Sequence, residues 1–287
     1  MTGHWKRDNN PGFFSVFDLP WRTAPERDIV SGLDQRLISE DATTGASTSM
    51  IRIPAGWRGS PGESDITAEL FVVEGSLSLD GRSLGVGSYA FLPHGKGAER
   101  LVACEDVQMY LFLTPGMEIS GQDDVRVMSF WDEPWQEGLL DRKLPQRWKS
   151  LRLPDFVEGA HGSAAGLLRV MQWQPGFIAP MEHLHSTWEE LIFLQGDWVA
   201  ERGIIVPGSF LGNPGESWHA PVATRDGALA LVHSNRPLDL IQRHCEGGEE
   251  FCRTYLERGS WLTLPQHGGE EAFAQYGISS PAAAATS

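Results

Sequence analysis

Residues 70–93, LFVVEGSLSLDGRSLGVGSYAFLP, lie over residues 191–214, LIFLQGDWVAERGIIVPGSFLGNP, without a gap. Gly196 stands 121 positions after Gly75, and the same offset relates Gly208 to Gly87, Ser209 to Ser88 and Pro214 to Pro93. Upstream it reaches Pro54 and Pro175. Glycine and proline restrict where a chain can turn, so a series of them held in register means the same turns in the same places. A chain of 287 residues with this pattern is expected to be two copies of one small unit in tandem.

The segments between those turns are short and rich in Val, Ile, Leu and Phe. Residues 49–57, 68–81, 88–95, 107–116, 166–177, 190–215 and 227–235 read as strands bounded by turns. Helical periodicity is nearly absent before residue 240. The helix candidate is 247–259, GGEEFCRTYLERG, with Phe251 and Tyr255 spaced i, i+4. The expected fold class is therefore mostly β. The division expected from the repeat is a first unit over 1–115, a Trp-rich connecting segment over 116–150, a second unit over 151–240, and the helix with a fraying tail over 241–287. The connecting segment reads as a linker packed across both halves, with an aromatic lid over a pocket as the alternative.

A formal net charge of −15 sets a field that repels nucleic acid and anionic membranes, so neither is an expected partner. No apolar run is long enough to span a bilayer, and residues 1–14 lack the apolar stretch of a secretory leader. Cys104, Cys245 and Cys252 are too few and too scattered for a disulfide framework, which makes the cytoplasm the expected location.

Chemistry concentrates in the second copy, in PMEHLHSTWEELIFLQG over 180–196. Alternate residues of a strand project to one face, so His183 and His185 aim at one point. Glu189 follows four residues later, close enough to return to that point after a tight bend. His219, in PGESWHAP, arrives from another strand after the turn set by Gly208 and Pro214. Three imidazoles and a carboxylate can surround one divalent first-row ion and leave one or two positions open. A lone histidine on an apolar face is more often a satisfied core residue. The spaced set is a metal pattern.

Neighbouring residues carry weaker signals. Glu190 should face away from Glu189 on a regular strand, and Trp188 and Trp218 read as packing residues, with an aromatic wall beside the metal as the alternative. Spacing does not sort His4, His161, His233, His244 and His267 into pocket and solvent positions. In the first copy the four ligand positions fall on Gly62, Ser64, Ala68 and Ala98, none of which holds a transition metal. His94 and Glu69 lie close to those positions without occupying them, and no role is assigned to either.

The series G-x6-H-x-H-x3-E-x6-G, Gly176 to Gly196, followed by G-x5-P-x4-H, Gly208 to His219, resembles the two motifs of the cupin superfamily. It departs slightly from the common form, since Gly215 follows Pro214 directly and Thr224 stands where an asparagine is frequent. The resemblance spans roughly 165–235, and the offset extends it to a first cupin over 45–115. It implies two tandem double-stranded β-helix (jelly-roll) barrels, the first degenerate, with His183, His185, Glu189 and His219 as ligands of one ion. Within the superfamily the second copy looks most like the ChrR type, which includes a zinc-binding anti-sigma module and iron-dependent diketone and hydroxyacetophenone dioxygenases.

That resemblance implies a mononuclear non-haem Fe(II) dioxygenase cleaving a C–C bond in a small dicarbonyl or hydroxyketone, with O2 and that small molecule as partners. Fe(II) is the first expectation for the ion, with Zn, Mn and Ni as alternatives, and a homodimer is admitted as an assembly. Two other functions use the same ligands: a non-redox isomerase or lyase, and a non-enzymatic zinc-binding sensor. Against the sensor, the N-terminal half reads as another cupin, where the anti-sigma relative carries a helical domain.

Overall fold

The computed structural model describes residues 3–7, 10–25, 29–60, 65–96, 98, 100–116, 124–137, 146–152, 166–200, 202–219, 221–236 and 238–258. Of the positions singled out above, Gly62, Ser64, His161, His267 and the tail lie outside them. The chain divides into two compact units. The first comprises Met1–Arg7, Leu19–Pro134 and Leu151–Leu153; the second comprises Asp8–Asp18, Trp135–Ser150 and Pro154–Ser287. Neither is one continuous stretch of chain.

In the first unit an eight-stranded sheet runs in the order Trp5–Lys6, Asp34–Glu40, Ser47–Ile53, Val107–Pro115, Ile66–Glu74, Ser88–Leu92, Arg126–Ser129, with Arg22–Thr23 paired to Asp34–Glu40. A four-stranded sheet of Arg58–Gly59, Leu101–Ala103, Leu77–Leu79 and Arg82–Leu84 completes it. The core draws on both sheets and is aliphatic, with Ile51, Leu70, Leu77, Leu101, Met109 and Leu111 at its centre.

The second unit repeats this arrangement. Its larger sheet runs Gln136–Glu137, Gln146–Ser150, Leu167–Trp173, Ala228–Ser234, Glu189–Gly196, Ser209–Asn213, Gly12–Ser15. Its smaller sheet runs Ile178–Ala179, Val222–Ala223, Trp198–Ala200, Gly203–Ile205, and a short ribbon pairs Glu182–Leu184 with Ile241–Arg243. The core here is aromatic: Trp173 and Trp198 lie 4.6 Å apart between ring centres, and Phe177 and Trp198 5.6 Å apart.

The offset of 121 extends to irregularities. The pairing of Ile66–Glu74 with Val107–Pro115 skips Val73, and that of Glu189–Gly196 with Ala228–Ser234 skips Leu194. Each is a one-residue bulge at the same place in the unit, and each stands two residues before a glycine with positive φ, Gly75 at 75° and Gly196 at 85°. A Cβ at either would come within 2.0 Å of the Asp106 carbonyl oxygen or 1.8 Å of that of Gly227. These two glycines are required by close approach as well as by φ.

The strands expected from composition are present, and the helix expected over 247–259 spans Gly248–Arg258. Among the described residues no helix is long and apolar enough to cross a membrane. The helix is tied to the second unit by the Tyr255 hydroxyl, which donates to Asp197 Oδ2 at 2.5 Å. Asp197 also accepts from the backbone N–H of Arg225 and Asp226. Burial pushes the Cys252 thiol up to about 11, and none of the three cysteines is in a disulfide.

Parts of the segment 116–150 form strands, which its composition hides. Arg126–Ser129 pairs with Ser88–Leu92, and Gln146–Ser150 pairs with Leu167–Trp173. Apolar alternation is weak here because ring–cation stacking does part of the covering: the Arg147 guanidinium and the Lys149 ammonium sit 4.3 and 4.8 Å from the centre of the Trp135 ring. Trp131 donates to the Val86 carbonyl at 2.9 Å and covers Gly87, and the buried Trp148 donates to Gln136 at 2.9 Å. Trp148 is a packing residue, whereas Trp131 stays 66% exposed.

Candidate metal centre

Two segments of the second unit bring the imidazoles together. His183 lies in the strand Glu182–Leu184, and His185 follows it directly. His219 forms a two-way backbone bridge with His183, N–H to carbonyl at 3.0 and 2.9 Å. This bridge, invisible in the spacing, sets the two rings 4.2 Å apart between centres. His185 lies 5.4 Å from each of the others. One nitrogen from each of the three lies within 4.8 Å of the other two, so the group could hold a metal ion.

Glu189 begins the strand Glu189–Gly196 and is buried, and its Oε2 lies 3.8 Å from Nε2 of both His185 and His219. The structure thus places Glu189 beside the expected histidines.

The outer hydrogen bonds decide which nitrogens face inward. His219 Nδ1 pairs with the Ser217 carbonyl at 2.9 Å, and His185 Nδ1 pairs with the Asp239 carbonyl. A carbonyl only accepts, so both Nδ1 atoms carry the proton and both Nε2 atoms present a bare lone pair. His219 Nε2 is buried and has no hydrogen-bond partner. A buried, unpartnered nitrogen costs free energy unless something binds it, and a divalent cation fits the donor set around it.

The proton inventory agrees. Burial, reinforced by His219, holds His183 down to about 3, and burial likewise lowers His219 against the pull of Glu189. Burial alone would raise the Glu189 carboxyl, but the three surrounding imidazoles and the Asn213 amide outweigh it and hold it below its ordinary value. A neutral His183 and His219 beside an ionised Glu189 are the protonation states that a metal requires.

The same shifts make the metal-free protein acid-labile. An unfolded chain protonates His183 near the ordinary 6.5, whereas the folded chain resists until about 3. In that window the unfolded state binds more protons, so stability falls as pH falls, by roughly a kcal/mol per pH unit for one such histidine. Glu189, also lowered, has the same sign below its ordinary value. The melting temperature of chelator-treated protein should therefore drop between about pH 7 and about pH 4, and His183→Gln should flatten that slope. An unchanged slope in the variant would disprove the assignment.

Other expectations resolve as follows. Glu190 faces away from Glu189 as expected, but it is buried and 3.1 Å from His233 Nδ1 on the neighbouring strand. His233 also meets Trp188 edge-on at 5.1 Å, so both serve packing behind the strand. Trp218 carries the Arg243 guanidinium 4.0 Å from its ring centre. Of the first copy's four positions, Ala68 and Ala98 are buried in the aliphatic core. Sequence reasoning missed Asp239, Asn213 and Arg202. Asn213 donates to Glu189 Oε2 at 3.1 Å, and Arg202 donates to Asn213 Oδ1 at 3.2 Å. An asparagine directly before Pro214 was the one available hint.

Residues 18–117 match a family described as a domain of unknown function, DUF4437. That match falls in the first copy. No curated protein matches the chain in sequence. Among solved structures, the chain is similar to a protein described as a candidate dioxygenase from Nostoc punctiforme PCC 73102, with 18% identity over 83% of this chain and 88% of that one and a TM-score of 0.67. It is similar to a cupin 2 conserved barrel domain protein from Leptotrichia buccalis, with 10% identity over 78% and 95% and a TM-score of 0.51. It is also similar to a variant of Bacillus subtilis oxalate decarboxylase, with 12% identity over 88% and 86% and a TM-score of 0.52. Identities this low speak for the fold alone. The expected mostly-β, cupin jelly-roll fold is borne out.

Proposed function

We propose that the protein is a mononuclear non-haem Fe(II) dioxygenase that cleaves a C–C bond in a small dicarbonyl or hydroxyketone. The observation that carries the metal part is the convergence of bare, buried Nε2 atoms, one of them unpartnered, beside an ionised carboxylate. The oxygenase part rests on the resemblance of residues 165–235 to ChrR-type cupins, with a candidate dioxygenase among the structural neighbours as supporting context.

In this reading His183, His185 and His219 hold the ion through neutral nitrogen, and Glu189 is the fourth ligand and lowers the net charge of the site. Bound Fe(II) would supply Lewis acidity together with electron exchange with O2. The chain's own contribution is placement. Fixed Nδ1–H donors keep the rings aimed, and a site with one or two positions not taken by protein ligands would bring substrate and O2 together, which turns an encounter of separate molecules into a local one.

The test is stoichiometric. Anaerobic Fe(II) protein should change its absorption spectrum when a β-diketone or α-hydroxyketone is added. On admission of air it should consume one O2 per substrate, both oxygen atoms ending in two fragments, one of them a carboxylic acid. Substrate consumed without O2 uptake would exclude the dioxygenase reading. A non-redox isomerase or lyase is the second reading, favoured by the retained, buried Glu189, a carboxylate suited to proton transfer.

A further inference from the structure

Glu189 is paired across the sheet with Asn213, so the two side chains lie on one face of neighbouring strands. Asn213 is 2% exposed. Its Nδ2 donates to Glu189 Oε2 at 3.1 Å, while Arg202 donates to its Oδ1 at 3.2 Å and to the Gly212 carbonyl at 3.3 Å. A guanidinium has donors only, so it must face the amide oxygen, and the amide nitrogen is thereby turned to the carboxylate. Arg202 fixes which way Asn213 points. Asn213 then fixes Glu189.

The first copy shows what this position needs when there is no metal to hold. The positions 121 residues earlier than Glu189, Asn213 and Arg202 are Ala68, Leu92 and Gly81. Ala68 and Leu92 are paired across the sheet in the same register and are both buried. The jelly roll is therefore satisfied at this place by two apolar side chains. The polar trio accompanies the ligand set and is not a requirement of the fold.

We propose that Asn213, oriented by Arg202, is a positioning residue for the metal centre, holding Glu189 Oε2 toward the histidines. Oε2 stands 3.8 Å from Nε2 of His185 and of His219. An oxygen with one lone pair on the Asn213 amide keeps the other for the ion, and a carboxylate tied in this way is held to one rotamer. The proposal rests on the metal reading of the site but not on any reaction.

Co(II) alone is the probe, titrated into metal-free full-length protein, with affinity and visible absorption as readouts. Asn213→Leu, which installs the first copy's residue, should weaken Co(II) binding about 10–100-fold, as loss of an outer partner does, and alter the absorption bands. Arg202→Met, which leaves the amide free to flip, should show a smaller loss of the same kind. Combining Asn213→Leu with Glu189→Gln should bind no more weakly than Glu189→Gln alone, because Asn213 acts through Glu189. Additive losses in the double variant, or unchanged affinity and spectrum in Asn213→Leu, would overturn the proposal. If Asn213→Leu does not fold, Asn213→Ser is subject to the same test. Because neither organic substrate nor O2 is present, failure of the dioxygenase reading leaves this result standing. Absence of Co(II) binding by the unaltered protein would overturn both.

Discussion

His185→Ala should strip the protein of its metal and leave its fold standing. His185 is 5% exposed, its Nε2 is bare toward Glu189, and its Nδ1 proton is held by the Asp239 carbonyl. Removing one of three imidazoles should cost more than the roughly 10–100-fold in affinity that an outer partner commands, so metal content after purification should fall to background. The cost to stability is of another kind: a small void and an unpaired Asp239 carbonyl, about 1–3 kcal/mol. The core of the second unit lies elsewhere, in Trp173, Phe177, Phe193, Trp198 and the aliphatic residues around them, and it does not depend on an ion. Elemental analysis and a thermal melt of the same sample check both halves. A variant that keeps stoichiometric metal, or a metal-free parent protein unfolded at room temperature, would contradict this account. Zinc fingers behave in the second way because their few ligands stand in for a core.

Exchanging Fe(II) for Zn(II) should abolish O2 uptake while leaving binding of the carbonyl substrate largely intact. Both ions accept imidazole nitrogen and carboxylate oxygen at similar distances, so the substrate still finds a Lewis acid. Zinc has no accessible redox couple, so the step that needs electron exchange with O2 stops. The measurement is O2 consumption and product acid with each metal, set against substrate affinity with each. A zinc form that turns over the physiological substrate as well as the iron form does would replace the dioxygenase reading with the isomerase or lyase reading. This experiment and the Co(II) titrations of the Asn213 variants address separate questions. One asks what the bound ion does, and the other asks what holds it.

What was legible in the sequence was periodic or local. The offset of 121 gave the turns at Gly75 and Gly196, and the same offset relates the bulges at Val73 and Leu194. Strand periodicity put His183 and His185 on one face and sent Glu190 to the other. Helical spacing gave Gly248–Arg258 to within a residue. These signals survive in one dimension because glycine, proline and alternation act over a few residues. Residue type did the rest: alanine at 68 and 98 can supply no ligand at those two positions whatever the shape of the first copy.

What only the tertiary structure decided was long-range pairing. Gly12–Ser15, some 200 residues from its partner in sequence, forms the edge strand beside Ser209–Asn213, which no local pattern announces. The backbone bridge that sets His219 beside His183, the Asp239 carbonyl that fixes the tautomer of His185, and the Arg202–Asn213 support of Glu189 all join segments distant in sequence. Side chains such as Asn213 and His233 carry no mark of their partner in the linear order. Register alone places them opposite a glutamate, and register is a property of the assembled sheet, set by every turn and bulge before it.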